Sequence, residues 1–444
     1  MVGGRPTGVY PAWSGPGRVL TSLFAMIVKH TLDNGLTLLT ESMPHMRSVA
    51  IGVWVRRGSR HESLAECGLS HFIEHMVFKG TQSRTAEQIA AQVDSIGGNM
   101  DAFTAKEYAA FHLKVLDEHV PLAVEILSDI VRHPLFDPEE MTREKKVIFE
   151  EMNMVEDTPD DLVMELLSET FWPDHPLGRP ILGTRDSLSS FSRDQLAAFF
   201  HAVYRPSNLV LAAAGNLEHD AIRALVEETF GDLAAGGTGE AEAAPPPADG
   251  MVLRSKKELE QVHLCLGRPA PAQAHDDRYA AHILNTVLGG SMSSRLFQNV
   301  REKRGLAYSI SSGIATYTDT GSITVYAGTS LDSLDEVIRL TLEEMRRVRD
   351  EPLPDEELRR AKDHLKGSLL LSLESTGSRM SYLARQEMYF GRFFSTEELA
   401  QRIERVTAEE VRQIAQDFFD PKHIALTALG NLEDFRIDRA DLVC

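Results

Sequence analysis

The chain has 444 residues and only three cysteines, Cys67, Cys265 and Cys444. So sparse and odd a set excludes a disulfide framework and points to a reducing compartment. The cytoplasm is the expected location, with the periplasm or the mitochondrial matrix as alternatives. No stretch approaches the ~20 consecutive apolar residues that a bilayer-spanning helix needs, so no membrane span is expected. Basic residues are also short: 46 Lys and Arg stand against 66 Asp and Glu, a formal net charge of −20. Phosphate backbones would be repelled, which argues against nucleic acid as a partner. The acidity suits solubility and basic peptides, although many soluble proteins are simply acidic. Acidic residues are missing before Asp33, and that leader contains an apolar run from Val19 to Val28. Its basic start is thin and it has no convincing cleavage site for a signal peptide, and its resemblance to a transit peptide is slight. The preferred expectation is a disordered extension over residues 1–25. Leu288-Gly289-Gly290-Ser291 lacks the lysine of a phosphate-cradling loop, so nucleotide binding is not expected.

What is present is the material of a large globular protein, 43% hydrophobic and 25% charged, too long for one ordinary core. The chain echoes itself. Pro206, an apolar strand and Gly215-Asn216-Leu217-Glu218 return as Pro421, an apolar strand and Gly430-Asn431-Leu432-Glu433, at an offset of 215. Pro138-Glu139-Glu140-Met141 returns as Pro354-Asp355-Glu356-Glu357-Leu358, at an offset of 216. Near-equal offsets mean an internal duplication. The Ala-, Gly- and Pro-rich stretch 234–250 reads as a solvated linker between the copies. The expected domains are 26–233 and 251–444.

Within the first copy, residues 27–32 and 36–40 read as two strands joined by Asp33-Asn34-Gly35, where Asn-Gly supplies the positive φ of a tight hairpin. Val49 to Arg56 alternates as a third strand. Glu87 to Ile96 reads as a helix stopped by Gly97-Gly98. Asn99 to Val115 reads as two strands around Lys106-Glu107, and Glu118 to Arg132 as an amphipathic helix. Pro138 opens a further helix rich in carboxylates.

The chemistry centres on His71-Phe72-Ile73-Glu74-His75. On a helix from about Leu69, positions i, i+3 and i+4 share a face, so His71, Glu74 and His75 point the same way. Imidazoles four apart can hold one zinc ion, and a carboxylate beside them can take a proton from water on the metal. This H-x-x-E-H order is the inverse of the commoner H-E-x-x-H. A third ligand is still required. On the helix after Pro138, Glu144 and Glu151 are seven apart and share a face, while Glu150 points about 100° away from Glu151. Cys67 lies four before His71, but a fourth protein ligand would close a catalytic site, and it reads as packing.

Around Gly68-Leu69-Ser70-His71-Phe72-Ile73-Glu74-His75-Met76-Val77-Phe78-Lys79-Gly80-Thr81 the chain resembles the family of pitrilysin, insulin-degrading enzyme and mitochondrial processing peptidase. The resemblance runs from about Met26 to the C-terminus and is closest to the two-domain branch. It implies that Glu151, 76 residues beyond His75, is the distal metal ligand and that Glu144 supports the site from behind. It further implies that Asp101-Ala102, on an edge strand, meets the substrate backbone. Asp101 stands where the family commonly has Asn, and an ionised Asp cannot donate a hydrogen bond. In the second copy a shift of about 216 sets Val287 against His71, residues near Ser291 against His75 and near Gly367 against Glu151, so no metal ligands are expected there. Instead Arg301 and Tyr308, seven apart, match a family pair that holds substrate and the developing oxyanion.

The expected fold is therefore α+β, with two homologous domains, each a largely antiparallel sheet covered by helices. The expected function is a zinc metalloendopeptidase with one zinc ion per chain, His71, His75 and Glu151 as ligands and Glu74 as general base. The expected substrates are peptides or unfolded proteins, and the expected assembly is a homodimer. The alternative is a non-catalytic partner subunit of a processing-peptidase-like complex.

Overall fold

The structure is a computed structural model that describes residues 27–237, 243–245, 247–420, 424–433 and 435–442. The extension expected over 1–25 lies outside the described residues. The first half runs β1 (Ile27–Thr31), β2 (Thr37–Ser42), β3 (Ser48–Val55), α1 (Leu69–Met76), α2 (Ala86–Ser95), β4 (Asn99–Thr104) and β5 (Ala109–Leu116). It continues through α3 (Val120–Arg132), α4 (Pro138–Asp157), α5 (Pro159–Phe171), α6 (Arg185–Ser190), α7 (Arg193–Val203), β6 (Leu209–Gly215) and α8 (His219–Phe230). The second half runs β7 (Met251–Ser255), β8 (Val262–Ala270), α9 (Arg278–Leu288), β9 (Ala307–Thr316), β10 (Gly321–Thr329) and α10 (Leu334–Asp350). It closes with α11 (Asp355–Ser372), α12 (Thr376–Phe390), α13 (Thr396–Arg405), α14 (Ala408–Phe418) and β11 (Ala425–Gly430). Among the described residues no helix is long and apolar enough to cross a membrane.

The duplication is visible in the strand order. The first sheet reads β1-β2-β6-β3-β5-β4 and the second β7-β11-β8-β10-β9. Apart from the extra β1, the two follow the same path through the chain. Each has one parallel pair, β2 with β6 and β7 with β11, and is otherwise antiparallel. The offset between copies varies along the chain, so a shift of about 216 does not hold everywhere. β4 begins at Asn99 and β9 at Ala307, 208 residues on. The counterpart of α1 is α9, packed on α11 as α1 packs on α4, but Val287 is in the last turn of α9 and Ser291 lies beyond its end, whereas His71 and His75 both lie within α1. The reason is that loops between the paired elements differ in length.

Strand periodicity explains the cores. In β3, Val49, Ile51 and Val53 face the helices of their own half, while Ala50 and Trp54 face the other way. In β6, Leu209, Leu211 and Ala213 alternate with Val210, Ala212 and Ala214 in the same manner. Both faces are buried because the outer face is covered by α12 from the other half, through Met380, Leu383 and Ala384. The converse holds for the second sheet. Helix α5, from the first half, lays Leu162, Val163, Leu167 and Phe171 on the face carrying Cys265, Ala425 and Leu429. The two helices occupy equivalent places in their copies, so the halves exchange one helix each. The segment 234–250 separates the two sheets in sequence but not two independent cores.

Ion pairs reinforce the exchange. Buried Glu387 of α12 accepts from Lys29 at 2.7 Å and meets Arg56 at 3.4 Å. Arg379 of α12 pairs with Glu41, which is 1% exposed. Arg60 links Glu107 at 2.7 Å to Asp319 of the second half at 2.6 Å. Each group has a buried member at the seam, Glu387, Glu41 or Arg60, whose charge would be stranded if its partner were lost.

This exchange predicts a single cooperative unit. Leu383→Ala, at a fully buried position, is expected to cost about 2–5 kcal/mol. Trp54 reports one seam and Trp172 the other. In variants retaining only one of these tryptophans, urea unfolding should give one shared midpoint, and Leu383→Ala should lower both. A midpoint that moves at Trp54 alone would refute the coupling.

Candidate metal centre

Helix α1 is amphipathic over only two turns. Leu69, Phe72, Ile73 and Met76 form its buried stripe, leaving His71, Glu74 and His75 on the opposite, half-buried face. Helix α4 begins at Pro138, with Asp137 accepting from the N–H groups of Glu139 and Glu140. Its Met141, Glu144 and Ile148 are buried, and α1 lies against it.

That packing brings together what the sequence separates. Glu151 Oε1 lies 3.6 Å from His75 Nε2 and Glu151 Oε2 lies 3.8 Å from His71 Nε2. One ligand atom from each of the three residues falls within 4.8 Å of the others. A tetrahedral zinc site with arms near 2.1 Å has ligand–ligand edges of about 3.4 Å, so the group fits such an ion with small adjustments. Two further observations agree. Glu151 Oε2 is buried without a hydrogen-bond partner. Burial, with His75 adding to it, depresses His71 to about 3, which keeps its imidazole neutral and a lone pair available. Glu150 is exposed and accepts from Asn153, so it faces away from the group.

Glu144, 5% exposed, accepts from His75 Nδ1 at 3.0 Å and from Lys79 Nζ at 2.7 Å. A carboxylate there sets the tautomer of His75 and leaves Nε2 free to bind a metal. Glu74 accepts from Thr104 Oγ1 at 2.6 Å. Burial raises its carboxyl above the ordinary range, against the pull of that hydrogen bond. Thr104 is not foreseeable from the sequence, since no spacing rule links it to the motif, and Lys79, four after His75, lies past the end of α1 at Met76, so helical spacing does not place it either. Nor does it place Glu62, which accepts from Gly68 and Ser70 at the start of α1. The segment around Gly183 likewise carries no sequence signal. Gly68 and Gly183 both have positive φ, +93° and +77°, and a Cβ on Gly183 would come 2.4 Å from the Cys67 carbonyl oxygen. Only glycines permit this approach. Cys67 itself is buried, with its thiol pushed up to about 11 chiefly by burial, as a packing residue would be.

Edge strand β4 passes beside α1, with Met100, Ala102 and Thr104 turned inward and Asp101 and Phe103 exposed. Asp101 Oδ1 accepts from the N–H of Ala102 at 2.8 Å. A cleft of about 340 Å³ over Glu74 and His75 is lined by apolar Phe78, Ile89, Met100 and Ala102. Among the described residues none from the second half lines it. Arg301 and Tyr308 are brought together elsewhere. Arg301 lies in a π-helical turn, Phe297–Glu302, with its guanidinium 4.7 Å from the Phe297 ring and 5.5 Å from the Tyr308 ring. Tyr308 is 79% exposed at the start of β9, the edge strand equivalent to β4. Among the described residues the second half holds no cluster of metal-ligand type.

A family profile described as "Insulinase (Peptidase family M16)" matches residues 37–185, and one described as "Peptidase M16 inactive domain" matches residues 190–365. The chain is 43% identical to the uncharacterized zinc protease YmxG of Bacillus subtilis, over 89% of this chain and 96% of that protein. It is 38% identical to an uncharacterized zinc protease of Streptomyces coelicolor, over 92% and 90% of the two chains. The fold is shared with a crystal structure of a protease from Helicobacter pylori, with TM-score 0.84, 20% identity and coverage of 91% of this chain and 99% of that one. It is shared equally with a peptidase M16 inactive domain from Pseudomonas fluorescens, with TM-score 0.85, 20% identity and coverage of 91% and 98%.

The geometry predicts that His71→Ala, His75→Ala and Glu151→Ala each abolish stoichiometric zinc binding, while Glu150→Ala retains it. Glu144→Gln should weaken binding or activity by roughly 10–100-fold without abolishing the site. Metal analysis of the purified variants checks both. Dependence on Glu150 in place of Glu151 would contradict the register of α4.

Proposed function

The chain belongs to the M16 (insulinase) family of peptidases, and from that premise we propose that it is a zinc metalloendopeptidase acting on peptides or unfolded protein segments. The observation that carries this reading is the convergence of His71, His75 and Glu151 within 4.8 Å, with Glu74 on the same helix face. One zinc ion per chain would be held by those three side chains. When bound there, zinc supplies Lewis acidity, activating water and polarising the scissile carbonyl.

The chain's own groups do the rest. Glu74 accepts a proton from the attacking water and delivers it to the leaving amine nitrogen as the C–N bond breaks. The hydrogen bond from Thr104 Oγ1, 2.6 Å away, holds the Glu74 carboxylate in place. Glu144 holds His75 through Nδ1. The free edge of β4, including Ala102, offers main-chain groups to an extended peptide. Asp101, engaged with the Ala102 N–H, places negative charge at that edge. The cleft lined by Phe78, Ile89 and Met100 suits an apolar side chain beside the scissile bond. The convergence of His71, His75 and Glu151 favours this reading over a non-catalytic partner subunit. The cytoplasm remains the proposed location, supported by the free, buried thiols of Cys67 and Cys265.

Arg301 and Tyr308 lie outside the cleft of their own chain, and Tyr308 is exposed. We propose a two-fold homodimer in which these residues of the partner subunit complete each centre, Tyr308 donating to the developing oxyanion. A heteromeric partner would supply the same groups only if it carried them.

Glu74→Gln is expected to keep one zinc ion and the fold but to lose at least ~10²-fold in cleavage of a quenched peptide. Retained turnover with zinc bound would end the general-base assignment. Tyr308→Phe is expected to lose roughly 10²-fold or more. Mixing these two inactive variants, under conditions that exchange subunits, should restore activity. One site of the mixed dimer then has both Glu74 and Tyr308 intact. No recovery despite demonstrated exchange would overturn completion in trans.

A further inference from the structure

The two-turn helix α1 bears both histidines and the general base, yet it has no cap of its own. Its N-cap is Gly68, which has no side chain to accept from the first turn. The first N–H groups of any helix lack partners within it, and a buried N–H left unpaired is costly. Here the acceptor comes from outside the helix. Glu62 Oε2 takes the N–H of Gly68 at 2.8 Å and Glu62 Oε1 takes the N–H of Ser70 at 2.6 Å. Both bonds are buried, and Glu62 is 3% exposed. Ser70 directly precedes His71, so the carboxylate is bonded to the backbone that sets the first ligand's position. The backbone of Glu62 is itself tied down, its carbonyl accepting from Arg179 at 3.2 Å. Arg179 in turn accepts from Lys106 through its own carbonyl oxygen.

We propose that Glu62 is a positioning residue for the metal centre, gripping the start of α1 with both carboxylate oxygens so that His71 and His75 face Glu151 in the geometry that binds zinc. It touches neither metal ligand side chains nor substrate. A carboxylate is the group required. It accepts at both oxygens, whereas an amide would present one acceptor and turn its NH2 donors toward an N–H. In its ionised form the group also complements the positive end of the helix dipole, while burial raises its carboxyl to about 7 against the lowering effect of these hydrogen bonds. This inference rests on the proposed zinc reading of His71, His75 and Glu151.

The test compares zinc affinity, by competition with a chromogenic chelator, in the full-length wild type, Glu62→Gln and Glu387→Gln. Glu387 is the control: it is a carboxylate of similar burial, 7% exposed, that binds Lys29 and Arg56 at the seam between halves. Thermal unfolding of the metal-free proteins is measured alongside. Glu62→Gln should bind zinc roughly 10–100-fold more weakly and lower kcat with KM unchanged, while Glu387→Gln loses stability but keeps wild-type zinc affinity. Should Glu62→Gln not fold, Glu62→Asp is read in its place, because the side chain shorter by one methylene cannot reach both N–H groups. Wild-type zinc affinity and kcat in the Glu62 variant would overturn the proposal, as would equal weakening in the Glu387 control. Wild-type protein that binds no zinc would instead overturn the metal centre itself, and the role of Glu62 with it.

Discussion

A helix of eight residues cannot hold its own conformation in water, because the nucleation cost is not recovered over two turns. Yet α1 carries His71, Glu74 and His75 in fixed directions on one face. The surrounding structure supplies what the helix lacks. Its apolar stripe, Leu69, Phe72, Ile73 and Met76, is pressed into the core of the first sheet. Its N-terminus is gripped by Glu62 and pressed against Gly183. Its functional face is set against α4, where Glu144 and Glu151 wait one above the other. Because the helix is locked on several sides, the His71, His75 and Glu151 atoms converge at 3.6 and 3.8 Å without hydrogen bonds between the histidines and Glu151.

The exchange of α5 and α12 extends the same dependence to the whole chain. Central strands β3 and β6 are apolar on both faces, and a two-layer half would leave one face wet. Exchanging one helix each gives both sheets a second cover. The seam is also where the protein concentrates buried charge, in Arg60 with Glu107 and Asp319, Glu387 with Lys29 and Arg56, and Glu41 with Arg379. Such pairs add little net stability over apolar packing. They do discriminate against misdocked halves, since each carboxylate would be stranded without its cation.

Duplication gave the protein two equivalent free edges, β4 and β9, and they have diverged. The first runs beside α1, where Thr104 reaches Glu74. The second carries exposed Tyr308 beside Arg301, on a π-helical turn of the kind often found at functional sites. The second half retains the scaffold and has no ligand cluster among its described residues. One copy thus carries the His71, His75 and Glu151 cluster and the other an exposed aromatic edge, a division that a shared fold permits because sites are grafted onto scaffolds.

Features set by neighbouring residues are legible in the amino-acid sequence. Asn34-Gly35 marks the first hairpin, and Gly35 does take a φ of +96°. The common face of His71, Glu74 and His75 follows from helical spacing, as does the divergence of Glu150 from Glu151. The duplication is legible in its repeated strand ends, although one constant offset misplaces the counterpart of α1, because insertions between elements leave no periodic trace. Other features require the chain to come back on itself. Helical spacing puts Glu144 and Glu151 on one face but cannot say that this face meets α1, and that link comes only by resemblance. Thr104 beneath Glu74, Lys79 beside Glu144, Glu62 at the start of α1 and the passage of α12 across the first sheet have no signal at all. Local spacing determines which side chains leave a helix or strand together. Which distant side chains they then meet is decided by how the apolar faces of all the elements are buried at once, and only the tertiary structure records that outcome.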